Sequence, residues 1–213
     1  MKDIVKGKRI LVTGTSSGIG LETARVLSEQ GAEVLGVDVN KCFDHVDEFY
    51  RADLSDPRTI DALIDVLPED IDGLVNNAGL PPTQPANKLL QVNWLGLKRL
   101  THGIVPKLAD GASIVNVASL AGHGWPKAVE AIKAAENLDY HNLDSFIERW
   151  KVSSESGRSY FFSKELLIAW TMQNRWTWRD RGIRMNAVSP GPVDTPILPD
   201  FIKTLGERAT EDR

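Results

Sequence analysis

"RILVTGTSSGIG", residues 9–20, decides the fold. Residues 9–14 are an apolar run too short for a globular helix and rich in the side chains that fill a buried strand, and the run ends on glycine. From 18 to 30 the apolar residues recur at helical spacing, so the chain reads as strand, tight turn, helix. Gly14, Gly18 and Gly20 let the backbone turn sharply and come close to a pyrophosphate, whose charge would sit at the helix N-terminus. Ser16 and Ser17 add hydroxyl donors, and Ile19 stands between the last two glycines. The spacing, Gly-x-x-x-Gly-x-Gly, differs from the commoner dinucleotide fingerprint, and read alone it also fits a glycine-rich turn with no ligand.

The same rhythm continues outward. Short runs rich in Val, Ile and Leu at 32–38, 73–79, 112–119 and 183–190 read as further strands, with a sixth strand at 49–54. Helices are expected at 18–30, 56–67, 86–109 and 157–181, the second entered through Ser55 as cap with Pro57 in its first turn. Strand and helix in alternation predict right-handed crossovers and a doubly wound parallel α/β sheet, with a ligand across the carboxyl ends of the strands. Residues 120–156 break the rhythm. Val129, Ile132 and Ala135, then Phe146, Ile147 and Trp150, mark two short amphipathic helices in an insertion that is either a surface excursion or a lid or subunit contact.

Bulk properties narrow the function. A chain of 213 residues is sized for one core, so one domain over 1–213 is expected. A net charge of −4 supplies no basic field to draw nucleic acid or an anionic membrane, which points to a small-molecule partner. The single cysteine, Cys42, rules out an internal disulfide framework, and no stretch reads as a signal peptide or membrane span, so a cytoplasmic setting is expected. His45, His102, His123 and His141 show no paired metal-ligand spacing, so no metal is expected. The run "NRWTWRDRGIR", 174–184, reads as core tryptophan beside a solvated charged face.

The chemistry gathers at the strand ends. Asp38 closes the second strand about twenty residues past the glycine loop, where a carboxylate accepts from the ribose hydroxyls of NAD and repels the 2'-phosphate of NADP; Lys41 lies near enough to blur that choice. Asp53, with Leu54 beside it, is a candidate acceptor for an adenine amino group, and Asn77, Ala78 and Gly79 leave room for a cofactor where bulkier side chains would collide. A phenol is a poor base at neutral pH without nearby positive charge, and Lys164 lies one helical turn beyond Tyr160 on the same face. That pair fits hydride transfer at a carbinol carbon, which needs a proton moved to or from the oxygen at the same time. Ser119, at a strand end, is placed to hydrogen-bond the substrate oxygen, and Asn93 to hold a water in a proton path.

The ordered set "TGTSSGIG", "ADLSD", "NNAG", Asn93 in "QVNWLG", Ser119 in "NVASLAG", "YFFSK" and "PGPVDTP" resembles the short-chain dehydrogenase/reductase superfamily over the whole chain. The resemblance implies a Rossmann fold, a catalytic tetrad of Asn93, Ser119, Tyr160 and Lys164, and nicotinamide-side contacts at Pro190, Gly191, Val193 and Thr195. Tyr160 and Lys164 would also touch the cofactor, expected to be NAD. The gap from Ser119 to Tyr160 is unusually long for the family and is similar to that of the coniferyl-alcohol dehydrogenases and the 3-alpha-hydroxysteroid dehydrogenase/carbonyl reductases, which handle ring-bearing alcohols or ketones. "IDGLVNNAGLP", "IVNVASLAGHGWP", "MNAVSPGPVDTPIL" and "FIKTLGER" resemble the coniferyl-alcohol type most. Family members commonly form homodimers or tetramers and continue past the point where this sequence stops, so a missing last strand is expected. A catalytically idle nucleotide-sensing regulator is the rival reading; it can dispense with Tyr, Lys or Ser, and all three are present here.

Overall fold

The computed structural model describes residues 4–207. Six strands pair in parallel in the order β3-β2-β1-β4-β5-β6. They are β1 (Arg9–Thr13), β2 (Glu33–Asp38), β3 (Glu48–Arg51), β4 (Ile71–Asn76), β5 (Leu108–Val117) and β6 (Arg184–Val188). The chain steps outward from β1 in one direction and then from β4 in the other, so the crossovers diverge between β1 and β4 and open a crevice at their carboxyl ends. Register places Leu11 beside Leu35 and Leu74, and Leu74 beside Ile114, all four fully buried in one row across the sheet. On the other face Ile10, Val12 and Val34 pack with Ala24 of α1 (Gly18–Glu29). Burial on both faces explains why the strands read as continuous apolar runs rather than alternating ones.

Several boundaries differ from the sequence reading. Helix α2 (Pro57–Val66) is capped by Asp56, whose carboxylate accepts from Arg58 N at 2.9 Å, and not by Ser55. Pro57 sits at the first helical position, which makes the residue before it the cap. The expected helix over 86–109 is broken into α3 (Ala86–Leu90), a π-helical stretch Gln91–Gly96, α4 (Leu97–Ile104) and a 3₁₀ turn Val105–Lys107. Pro106 closes the run, and β5 starts at Leu108, four residues before the apolar pattern becomes continuous. The last expected helix, 157–181, ends earlier, as α7 (Arg158–Asn174). Beyond it Trp178 packs on His102 at 5.8 Å between ring centroids, but Trp176 is 65% exposed, contrary to its reading as a core residue.

The insertion forms a 3₁₀ helix Leu120–Lys127, α5 (Val129–Ala134) and α6 (Leu143–Trp150). It is no surface excursion. Ile132, Ala135, Leu143, Phe146 and Val152 are buried in the main hydrophobic cluster, and Phe146 meets Phe162 of α7 at 5.8 Å. A last helix, α8 (Leu198–Leu205), follows β6. Among the described residues no helix is long and apolar enough to cross a membrane, and no cluster of His, Cys, Asp and Glu is arranged to hold a metal.

Candidate active site

The carboxyl ends of the strands open into a cleft of about 590 Å³. The glycine loop forms one end. Gly14 has φ +76°, which a side chain disfavours, and the position of a Cβ on Gly20 would fall 1.9 Å from Gly14 O. Asn77 locks the turn by donating from Nδ2 to Thr13 O (3.0 Å) and Gly14 O (3.2 Å), so its amide nitrogen serves the loop. Gly20 therefore packs its backbone directly against the turn, with no room for a side chain between them. Gly20→Ala is expected to destabilise the protein by about 3 kcal/mol. The loss is read by urea unfolding.

Gly14, Ser16, Ser17, Gly18 and Ile19 all line the cleft, as do Asp38, Asp53, Leu54, Ala78 and Gly79. Asp38 is held in place by two backbone donors: Oδ2 accepts from Ser16 N at 3.0 Å and Oδ1 from Asn40 N at 2.9 Å. Asp53 is more heavily engaged than its sequence position indicated. Oδ1 accepts from Ser55 N (2.8 Å) and Ser55 Oγ (2.6 Å), and Oδ2 from Lys88 Nζ (3.1 Å). Burial alone would raise the Asp53 carboxyl; the hydrogen bonds from Ser55 and Lys88 outweigh it and hold the group below the usual carboxylate range. Lys88 carried no motif signal, because it reaches Asp53 only through the packing of α3.

At the other end lie Ser119, Tyr160 and Lys164. Ser119 lies two residues past the end of β5, and its flanking amides tie it to β6 and the residues after it: Ala118 N donates to Val188 O (2.8 Å) and Leu120 N to Pro190 O (3.0 Å). Its hydroxyl accepts from Ala121 N at 3.1 Å, capping the 3₁₀ helix. Tyr160 and Lys164 are 7% and 6% exposed on α7, with Lys164 Nζ 5.6 Å from the Tyr160 ring centroid and donating to Val117 O at 2.8 Å. Burial pushes the Tyr160 phenol up to about 12, with the facing Ser119 hydroxyl acting in the opposite direction, and pulls the Lys164 ammonium down to about 8.

Asn93 stands behind this group rather than on the cleft surface. It is 2% exposed within the π-helical stretch, accepts from Leu80 N at 2.7 Å, and donates to Leu80 O at 3.1 Å and Ser163 Oγ at 3.4 Å. Pro190, Gly191, Val193, Thr195 and Ile197 form the wall after β6, and Phe201 and Leu205 close the cleft from α8. Phe201 meets the Tyr160 ring edge-on at 4.9 Å, and Thr83 Oγ1 donates to Asp200 at 2.7 Å, fastening α8 across the opening. Missed by motif reading, Asn76 donates to Thr101 Oγ1 and Asn116 Oδ1, each at 2.9 Å, and Asn116 to Thr171 Oγ1 at 2.9 Å. This buried chain joins β4, β5, α4 and α7 directly beneath the cleft. No periodicity signals it, since Asn76 and Asn116 sit inside runs that read as strands.

The strand order, the glycine turn pressed against β4 and the cleft at the divergent crossovers define a dinucleotide-binding α/β protein. The chain belongs to the short-chain dehydrogenase family, whose description, "short chain dehydrogenase", matches residues 8–134. It is 44% identical over 206 residues to a coniferyl-alcohol dehydrogenase of Pseudomonas sp. (strain HR199 / DSM 7063), covering 96% of this chain and 80% of that one. To a 3-alpha-hydroxysteroid dehydrogenase/carbonyl reductase of Comamonas testosteroni it is 30% identical over 203 residues, covering 89% and 74%. The 3-alpha-hydroxysteroid dehydrogenase from Pseudomonas sp. B-0831, solved in complex with NADH, superposes with a TM-score of 0.79 at 27% identity, covering 95% of this chain and 80% of that one. The protein is thus an oxidoreductase of the short-chain dehydrogenase type, acting on alcohols with a nicotinamide cofactor. The residues present fit such a cofactor: a glycine turn too tight for side chains, leading to amide donors at a helix N-terminus, and an anchored carboxylate at the end of β2.

Proposed function

We propose that the protein interconverts a ring-bearing alcohol, of the aryl allylic or hydroxysteroid class, with its carbonyl, using NAD(H). The observation that carries this reading is the convergence of Ser119, Tyr160 and Lys164 in one cleft with the Asp38 carboxylate at its far end. NAD, when bound, supplies the hydride acceptor for alcohol oxidation and the donor, as NADH, for the reverse. Gly14, Ser16, Ser17, Gly18 and Ile19 hold its phosphates, Asp38 its adenosine ribose, and Pro190, Gly191, Val193 and Thr195 its nicotinamide end. Asp53, Leu54, Asn77, Ala78 and Gly79 line the stretch between.

Ser119 orients the substrate oxygen, and Tyr160 takes the proton from it during oxidation and returns it during reduction. A phenol raised by burial is rarely ionised at neutral pH, so the ammonium of Lys164 does the activating work by stabilising phenolate in a cleft of low dielectric. Asn93 serves through Leu80, holding the floor of the cleft and a water route to Lys164. The apolar walls from α8 and from the insertion suit a ring. The alcohol–carbonyl reading is tested by following NADH absorbance against a panel of aryl allylic alcohols, hydroxysteroids and simple ketones. Turnover confined to simple ketones overturns the substrate class, and no turnover at all overturns the reading.

Preference for NAD rests on Asp38. A fixed carboxylate accepts from ribose hydroxyls and repels a phosphate at the same place. Asp38→Ala is expected to lower kcat/KM for NAD by roughly 10- to 100-fold while raising that for NADP, a comparison steady-state kinetics makes directly. Unchanged preference would remove Asp38 from this role. Exposed Met172, Trp176 and Val188 near β6 support a homo-oligomer, which light scattering measures.

A further inference from the structure

His123 lies in the cleft, and neither the reaction nor cofactor binding uses it. It sits on the 3₁₀ helix Leu120–Lys127, with Nδ1 3.0 Å from Leu120 O. A carbonyl oxygen only accepts, so Nδ1 carries the proton in that contact and Nε2 keeps its lone pair. The geometry therefore leaves an exposed imidazole acceptor on the same wall as the reaction centre. Ser119 caps the 3₁₀ helix that carries His123 four residues on, so one short element brings both side chains to the cleft.

The surroundings leave little else for the far end of a substrate to bond. Beyond the reaction centre the walls are Leu120, Phe161, Ile197, Phe201 and Leu205. Thr195 turns its hydroxyl back to Val193 O at 3.2 Å. The remaining polar side chains on the cleft belong to the reaction centre or to the glycine-loop end. An apolar pocket with one fixed acceptor recognises a ring that carries a hydrogen-bond donor opposite its reacting arm.

We infer that His123 Nε2 accepts from a hydroxyl on the substrate's ring, which makes His123 a specificity-determining residue that favours ring alcohols carrying such a donor. This deepens the alcohol–carbonyl reading and rests on it. The experiment compares kcat/KM for coniferyl alcohol with that for 3-methoxycinnamyl alcohol, which is the same molecule without the 4-hydroxyl. The wild type is expected to favour coniferyl alcohol about tenfold, as one partly exposed hydrogen bond allows. In His123→Phe the ratio should fall below about twofold, and His123→Gln, which restores an acceptor, should recover part of it. A wild-type ratio near one, or a ratio unmoved in His123→Phe, overturns the inference while oxidation of both alcohols leaves the parent reading standing. Turnover of hydroxysteroids with neither aryl alcohol accepted overturns this inference and the aryl part of that reading, and leaves alcohol oxidation in place.

Discussion

Tyr160→Phe lowers kcat by about 10³-fold and leaves the KM for the nicotinamide cofactor within about threefold, the expected result for removing a general acid/base from an otherwise intact site. The ring remains: Tyr160 is 7% exposed, packed in the main cluster and set edge-on to Phe201 at 4.9 Å, contacts a phenylalanine keeps. The hydroxyl is what disappears, along with its interaction with Ser119. NADH absorbance on a substrate found in the panel gives the rate, and thermal unfolding by circular dichroism shows that the fold survives. A variant within tenfold of wild-type kcat would take the proton-transfer role away from Tyr160.

Lys164→Met separates catalysis from stability. Without the ammonium, nothing at that position stabilises a phenolate whose burial already disfavours it, and kcat at neutral pH should drop by about 10²- to 10³-fold. Stability moves with pH in the opposite sense to a salt-bridged lysine. The folded-state value is about 8, below the ordinary value, because burial penalises the charged form. Below pH 8 folding carries the whole cost of a buried ammonium. Between 8 and the unfolded value near 10.4 the unfolded chain binds more protons, so the wild type gains stability as pH rises. Met carries no such cost, so the Tm of Lys164→Met minus that of the wild type should be most favourable near pH 7 and shrink toward pH 10. Loss of the bond to Val117 O offsets part of the gain at every pH and does not alter this slope. A difference that grows with pH would show that Lys164 is not penalised by burial.

Much of the fold was legible because a parallel sheet buried on both faces writes itself as unbroken Val, Ile and Leu, and because glycine is required where backbone meets backbone. Gly14 and Gly20 illustrate the second point: their spacing predicted a tight turn, and the turn is so close that a Cβ on Gly20 would lie 1.9 Å from Gly14 O. The helix through 86–109 was not legible as four pieces, since the π-helical stretch is only Gln91–Gly96 and differs from its neighbours in which carbonyl each amide reaches, which the apolar pattern of so few residues does not report. The exchange of Ser55 for Asp56 as cap is likewise a matter of backbone angles that either residue type can adopt.

Sequence alone settled the strand order class, the glycine turn and the placement of Tyr160 and Lys164 on one face of a helix, because each depends on periodicity or on neighbours within one turn of helix. Tertiary structure decided the rest. Only packing could bring Lys88 to Asp53, put Asn93 behind Leu80 instead of on the cleft, and fold the insertion into the core. The same holds for the protonation state of the site. A tyrosine raised to about 12 beside a lysine lowered to about 8 is a consequence of burial, and burial is contributed by residues far away in the chain, Phe201 among them.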